Sequence, residues 1–222
     1  MRTTRDDRYL REDFQALPKD CYTAMFERMI AQSPGLELHL GMDFETAKRM
    51  WSYQHLIFTG PIDEYYDRCF GALPYRSLRF ENESFTEDEL KDREAESGKP
   101  GFWQPAMQVN YPDADVPFTR IVKIKHATGQ EIDATTIVRE FPHDWEPGEE
   151  PFYPIPADDT KALYQRYAAL GEQEENVSFI GRLGTYRYYN MDQVTGMALA
   201  EAEKLVAKFH KAAEPVETRK EA

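Results

Sequence analysis

The stretch Gly181-Arg182-Leu183-Gly184-Thr185-Tyr186-Arg187-Tyr188-Tyr189-Asn190-Met191-Asp192-Gln193 decides how this chain is read. Before it runs Val177-Ser178-Phe179-Ile180, an apolar segment of strand length. After it, residues 194–209 carry the apolar spacing of a long helix, with Asn190 or Asp192 as its cap. A strand, a basic tyrosine-rich loop and a fresh helix N-terminus are the parts of an anion site. Free N–H groups and the positive end of the helix dipole favour a pyrophosphate there. An arginine and two tyrosines add fixed donors. The same segment also reads as packing, because tyrosines at a strand end commonly bury the ring and leave the hydroxyl wet.

Outward from that stretch, composition narrows the classes. With 222 residues the chain can form one sizeable domain or two small ones, and 41% hydrophobic and 13% aromatic residues can build a packed core. The net charge of -13 argues against a general nucleic-acid binder, which needs a basic face, yet leaves room for a local basic pocket around one small anion. Cys21 and Cys69 stand far apart and read as two reduced thiols. No apolar run approaches the ~20 residues that cross a bilayer, and no signal-peptide pattern opens the chain. Histidines 39, 55, 126, 143 and 210 are scattered, so no metal site is expected.

Turn chemistry divides the rest. Asp20 is expected to cap a short amphipathic helix bearing Tyr22, Met25, Phe26, Met29 and Ile30, ended by Pro34-Gly35. Leu36-Glu37-Leu38-His39-Leu40 alternates as a strand would, and residues 43–51 read as a second short helix. Further strands are predicted at 55–59, 75–80, 107–111, 119–126 and 135–141, with a hairpin-type connection at Thr128-Gly129-Gln130. The acidic stretch 86–105 reads as a loop or short helix, Phe152-Tyr153-Pro154-Ile155-Pro156 as a rigid proline-framed segment, and a helix is expected from Asp158 or Asp159 to Leu170. Successive strands without long helices between them imply an antiparallel sheet, hence α+β. No GxGxxG occurs.

Ordered along the chain are Arg5-Asp6-Asp7-Arg8-Tyr9, Leu17-Pro18-Lys19-Asp20, Phe58-Thr59-Gly60-Pro61-Ile62-Asp63-Glu64-Tyr65-Tyr66-Asp67, Pro74-Tyr75-Arg76-Ser77-Leu78-Arg79-Phe80-Glu81, Val109-Asn110-Tyr111-Pro112, Val116-Pro117-Phe118-Thr119-Arg120-Ile121, Phe152-Tyr153-Pro154 and the stretch quoted first. Together, from about residue 2 to about residue 209, they resemble the C-terminal portion of UDP-galactopyranose mutases, a flavoenzyme family. The resemblance implies a mid-chain antiparallel sheet as substrate domain (55–175), flanked by fragments of an FAD-binding dinucleotide-type domain (21–54 and 176–212). Residues 1–20 would be a remnant of the helical lid domain and 213–222 a frayed tail. The Gly-rich FAD fingerprint and most of the helical domain have no counterpart, so the chain is expected to be truncated and inactive alone. A homodimer, or a separate polypeptide supplying the N-terminal half, would be its assembly.

The implied reaction interconverts UDP-galactopyranose and UDP-galactofuranose through an adduct between the sugar and N5 of reduced FAD, in the cytoplasm, for a cell-wall or surface polysaccharide. The protein would hold the leaving diphosphate and orient the sugar. By the resemblance Arg120 and the lid arginine Arg2 are catalytic, and Arg76, Asn110, Arg120, Tyr153 and Tyr188 bind substrate. Arg182 lies near the flavin, and Asn190, Met191, Asp192, Gln193, Val194, Thr195 and Gly196 line the FAD. Asn190 stands where some members carry aspartate, and Phe14 about where the family often has a tyrosine. Neither nucleic acid nor membrane is an expected partner. A non-catalytic nucleotide-sugar-binding remnant, or half of a two-chain flavoenzyme, is the alternative. Without the resemblance, Arg76 and Arg120 read as exposed strand residues and Tyr153 as turn packing.

Overall fold

The computed structural model describes residues 13–14, 16–93, 97–155 and 157–213. The early elements are α1 (Cys21–Ala31), α2 (Phe44–Met50), β1 (Leu56–Phe58) and α3 (Ile62–Tyr65). Then come β2 (Tyr75–Thr86), α4 (Glu87–Leu90), β3 (Gln108–Asn110), β4 (Arg120–Val122), α5 (Lys125–Thr128) and β5 (Ala134–Asp144). The chain continues with β6 (Tyr153–Pro154), α6 (Asp158–Gly171), β7 (Val177–Phe179), α7 (Gly181–Gly184) and α8 (Met191–Ala213). Helices and strands are mixed, and the pairings of β3 with β4, β4 with β5 and β2 with β6 are antiparallel, as in an α+β protein. The five-stranded order is β3-β4-β5-β2-β6. Two units divide the chain: one takes the residues up to Ala47 with Phe80–Glu140, the other Lys48–Arg79 with everything from Phe141 on.

In the second unit β1 and β7 pair in parallel, Leu56 opposite Val177 and Phe58 opposite Phe179. An aromatic core lies beside them: Ile62, Leu73, Tyr75, Tyr167 and Tyr186 are buried together, with Tyr66, Phe70, Trp145 and Phe179 against them. Its polar atoms are matched. Asp63, 1% exposed, accepts the Leu73 N–H at 3.0 Å and the Tyr75 hydroxyl at 3.2 Å. The Tyr167 hydroxyl accepts the Phe70 N–H and donates to the Gly71 carbonyl. Burial first, and the Asp63 charge second, hold the Tyr75 phenol far above its ordinary titration range. A polar chain crosses from strand to helix: His55 Nε2 meets Ser178 Oγ at 2.8 Å, and that hydroxyl donates to Glu201 on α8 at 2.6 Å.

In the first unit, three residue rows run across β3, β4 and β5: Gln108–Val122–Val138, Val109–Ile121–Arg139 and Asn110–Arg120–Glu140. Ile121 and Ile137 turn inward, as period-two alternation requires. Phe102 is buried among cations, with Nζ of Lys99, Lys123 and Lys125 within 4.2, 4.9 and 5.2 Å of its ring centroid. Lys125 Nζ donates to the carbonyls of Gly101, Ile132 and Ala134, whereas among the described residues the buried Lys123 ammonium has no hydrogen-bond partner.

Several local expectations are corrected. Leu36–Leu40 forms no strand: its leucines stay exposed, and alternation makes a strand only where a ladder partner exists. Asp20 pairs with Arg28 at 3.1 Å instead of capping α1, while Asp43 Oδ1 does cap α2 by accepting the Thr46 N–H. The Thr128-Gly129-Gln130 segment does connect the antiparallel neighbours β4 and β5, but by way of a helical turn. Residues 125–128 close a helical turn, and Gly129 at φ +64° ends it in the left-handed conformation. β2 runs to Thr86, six residues past Phe80, because Glu87 N–H finds the Asp133 carbonyl and Ser84 the Thr136 hydroxyl. The stretch 86–105, read as a loop or short helix, does carry a short helix, α4, followed by the 3₁₀ turn Lys91–Arg93.

Candidate functional site

The opening stretch folds as strand end, short helix, bend and long helix. Ile180 is extended; Gly181, at φ +79°, makes the turn that an L side chain resists. A Cβ at Gly184 would lie 3.1 Å from the Phe58 carbonyl oxygen, so a side chain there would have to push the β1 main chain away by a few tenths of an ångström. The chain then bends at Tyr186, a non-glycine at φ +48°, whose buried hydroxyl donates to the Pro74 carbonyl at 2.5 Å and accepts the Ile155 N–H. That tie fixes where Arg182, Tyr188 and Tyr189 emerge.

Four of the residues singled out in the sequence come together in this unit. Tyr153 is the cross-strand partner of Arg76, so the two share a face of the β2–β6 pair. The ring of Tyr188, 61% exposed, stacks on Tyr153 with centroids 5.5 Å apart and 18° between planes. The Arg182 guanidinium carbon lies 5.0 Å from the Tyr153 centroid and 4.8 Å from that of Tyr188. Its nitrogens are occupied: Nε and Nη2 donate to the Tyr189 carbonyl at 3.2 and 2.5 Å, and Nη1 to the Phe152 carbonyl at 3.1 Å. Arg76 is half exposed and ion-paired with Asp144. Two phenols and the exposed Arg76 guanidinium offer donors of the kind a diphosphate takes, with the Arg182 guanidinium fixed beside them.

Asn110 and Arg120 lie opposite each other in the first unit, on neighbouring strands. Arg120 Nε is 3.1 Å from Glu140 Oε2 but poorly aligned for a hydrogen bond, and Nη1 reaches Gln108 Oε1 at 3.4 Å. Gln108 donates to Asn110 Oδ1 at 3.1 Å. Gln108 and Glu140 were not singled out in the sequence, nor was Asp144. The Gln108/Asn110 spacing of two, which puts both on one face, was the available signal.

α8 begins at Met191, with the Asn190 N–H donated to the Gln193 side chain at 2.9 Å and the Asn190 carbonyl accepting the Val194 N–H. Met191 is exposed, and a Cβ built on Gly196 meets nothing within 4 Å, so this face is open. Thr195 turns back onto the Met191 carbonyl. Asp192, Gln193 and Val194 share the first turn. Phe14 is exposed. Arg2 and the tail 214–222 fall outside the described residues.

Among the described residues, no helix is long and apolar enough to cross a membrane. Comparison with known proteins gives a match of residues 1–188 to the family model for UDP-galactopyranose mutase. The chain is 33% identical over 203 residues to a probable UDP-galactopyranose mutase of Klebsiella pneumoniae, covering 91% of this chain and 49% of that protein. It is 33% identical to a dTDP-fucopyranose mutase of Escherichia coli, over 84% of this chain and 48% of that protein. It is 31% identical to a UDP-galactopyranose mutase of Mycoplasma pneumoniae, over 86% of this chain and 48% of that protein. The chain thus spans about half the length of these relatives.

Proposed function

We infer what this chain does from one premise: it belongs to the UDP-galactopyranose mutase family. It is the part of a sugar-nucleotide mutase that grips the diphosphate of UDP-galactopyranose or UDP-galactofuranose while the sugar changes ring size. The observation that carries this reading is the stacked Tyr153–Tyr188 pair, braced by Arg182 and lying beside Arg76.

Ring interconversion leaves composition and redox state unchanged but requires the anomeric C–O bond to break and re-form. The departing diphosphate gains negative charge, and donors already in place stabilise it without reorganising. The phenols of Tyr153 and Tyr188 are such donors. Arg76 can exchange its exposed carboxylate partner Asp144 for a phosphate at little cost, since exposed ion pairs contribute about 0–1 kcal/mol. On the family resemblance Arg120 is assigned to the developing charge and Asn110 to substrate contact, with Arg2 as the lid arginine.

A reduced FAD, when bound, supplies the electron pair that engages the anomeric carbon while the diphosphate is free. The start of α8 suits one edge of such a group. The first N–H groups of a 23-residue helix lack intrahelical acceptors, and the face at Gly196 is open. Residues 190–196 would hold it there. We assign 176–212 and 21–54 to the FAD-binding part and 55–175 to the substrate part; the parallel β1–β7 pair supports a dinucleotide-type element at the seam. Exposed free thiols at Cys21 and Cys69 suit a reducing compartment, and we place the protein in the cytoplasm.

A dTDP-sugar is the second reading, favoured by the equal identity to the fucopyranose mutase. Calorimetric titration with UDP, UDP-galactose and dTDP-fucose separates the two. UDP-galactose binding weakened about tenfold by Tyr188→Phe is the expected result. No binding of any of the three, or binding indifferent to both Tyr153→Phe and Tyr188→Phe, overturns the reading. Turnover under dithionite with added FAD tests whether the chain acts alone.

A further inference from the structure

We propose that Arg182 is a positioning residue: it does not itself hold cofactor or substrate, but locks Tyr153 and Tyr188 into one rigid pair. The inference rests on the diphosphate reading above and replaces the flavin-side role that the family resemblance gives Arg182.

Arg182 has five N–H donors, and three of its nitrogens already point at main-chain carbonyls. The two carbonyls belong to Phe152 and Tyr189, each the immediate neighbour of one of the stacked tyrosines. The guanidinium therefore ties the start of β6 to the segment before α8 at the two points from which the phenols project. Its guanidinium carbon lies within 5.0 Å of both ring centroids, so the same group that ties the two main-chain points also packs beside the stack. Among the described residues its hydrogen bonds all go to neutral carbonyls. A planar fork can satisfy two divergent carbonyls; an ammonium on a flexible stem cannot hold both and still cover the rings.

Arg182→Lys should lower UDP affinity about tenfold, while the affinity for oxidised FAD, followed by flavin fluorescence, changes less than twofold. Tyr188→Phe should make the loss sub-additive: the double variant binds UDP no more than about twofold worse than the weaker single variant. Loss of FAD affinity equal to the loss of UDP affinity, or unchanged UDP affinity, overturns the proposal. The wild-type chain gives an independent measurement should the variant not fold. By ¹⁵N NMR, the Arg182 Nε–H should be protected from exchange before any ligand is added. A fast-exchanging Nε–H, or one whose shift moves on adding FAD alone, also overturns it. Absence of UDP binding in the wild type would remove the diphosphate reading, while the exchange measurement would still decide whether the clamp exists.

Discussion

Each unit buries a charge-bearing side chain, and the two solve the problem differently. Asp63, in the aromatic core of the second unit, takes a main-chain N–H and a phenol and has Arg68 at 3.9 Å. Lys123, in the first, has the face of Phe102 and, among the described residues, no hydrogen-bond acceptor. The same contrast separates the functional cations. Arg182 is pinned by neutral carbonyls, whereas Arg120 leans on the carboxylate of Glu140. A group with satisfied neutral partners is a fixed part of the frame. A group left short, or paired with a charge, can be replaced or can change partners.

Removal of the two buried charges should therefore have opposite signs. Asp63→Ala strands the Leu73 N–H and the Tyr75 hydroxyl inside the core and should cost roughly 3 kcal/mol. Urea titration of the variant measures it. Adding Tyr75→Phe should restore part of the loss, because one of the stranded donors goes with it. An Asp63→Ala chain as stable as the parent would mean the network is not closed.

Lys123→Met should stabilise. Burial first, and the neighbouring charge of Lys125 second, pull the Lys123 pKa down from 10.5 to about 8. Between those values the unfolded chain holds the proton and the folded chain releases it, so stability climbs with pH across that window. The penalty is present in full below pH 8 and gone above 10.5, and amounts to roughly 3 kcal/mol at neutral pH. The methionine variant should gain up to that amount at pH 7 and lose the slope between pH 8 and 10.5. An unaltered slope would place the titration elsewhere.

What could be read in the sequence follows the same line between local and distant causes. The α8 periodicity and the α6 start depend on near neighbours, and each stands where it was expected within a few residues. α7 was invisible because four residues carry no helical period. Leu36–Leu40 shows the converse: its alternation is clear, but a strand needs a partner that no local pattern supplies. Among the candidate site residues, Tyr153, Tyr188 and Arg76 were singled out by the family resemblance; by local pattern alone Arg76 reads as an exposed strand residue and Tyr153 as turn packing. Glu140 was not singled out, because its nearness to Arg120 comes from the β4–β5 register. Arg182 was legible as a cation near the key loop but not as a clamp, since its acceptors, the Phe152 and Tyr189 carbonyls, belong to main chain that any sequence would provide.

The comparison of the two arginines can be sharpened at Glu140. Its carboxylate is mostly buried and neutralises Arg120, so it competes with any incoming phosphate. Glu140→Gln keeps the shape and removes the competing charge. UDP affinity should rise about threefold in low salt and the gain should shrink at 0.5 M salt, where screening is strong. Arg120→Lys should lower affinity by a similar factor, for loss of the fork. Equal affinity in parent and Glu140→Gln protein would show that Arg120 is as fixed as Arg182.

The smallest effect concerns the open face of α8. Glycine inside a helix costs about 0.5–1 kcal/mol relative to alanine, and at Gly196 a Cβ meets nothing. Gly196→Ala should therefore raise stability by that amount, seen as a higher urea midpoint with the same slope. The added methyl would fill space that the proposed flavin edge needs, so affinity for FAD should fall at least threefold while stability rises. Opposite movements in the two measurements would be hard to obtain from a residue that serves the helix alone. A gain in stability with unchanged flavin affinity would withdraw Gly196 from the proposed seat and leave the helix start, at Met191 to Val194, as the part still to be tested.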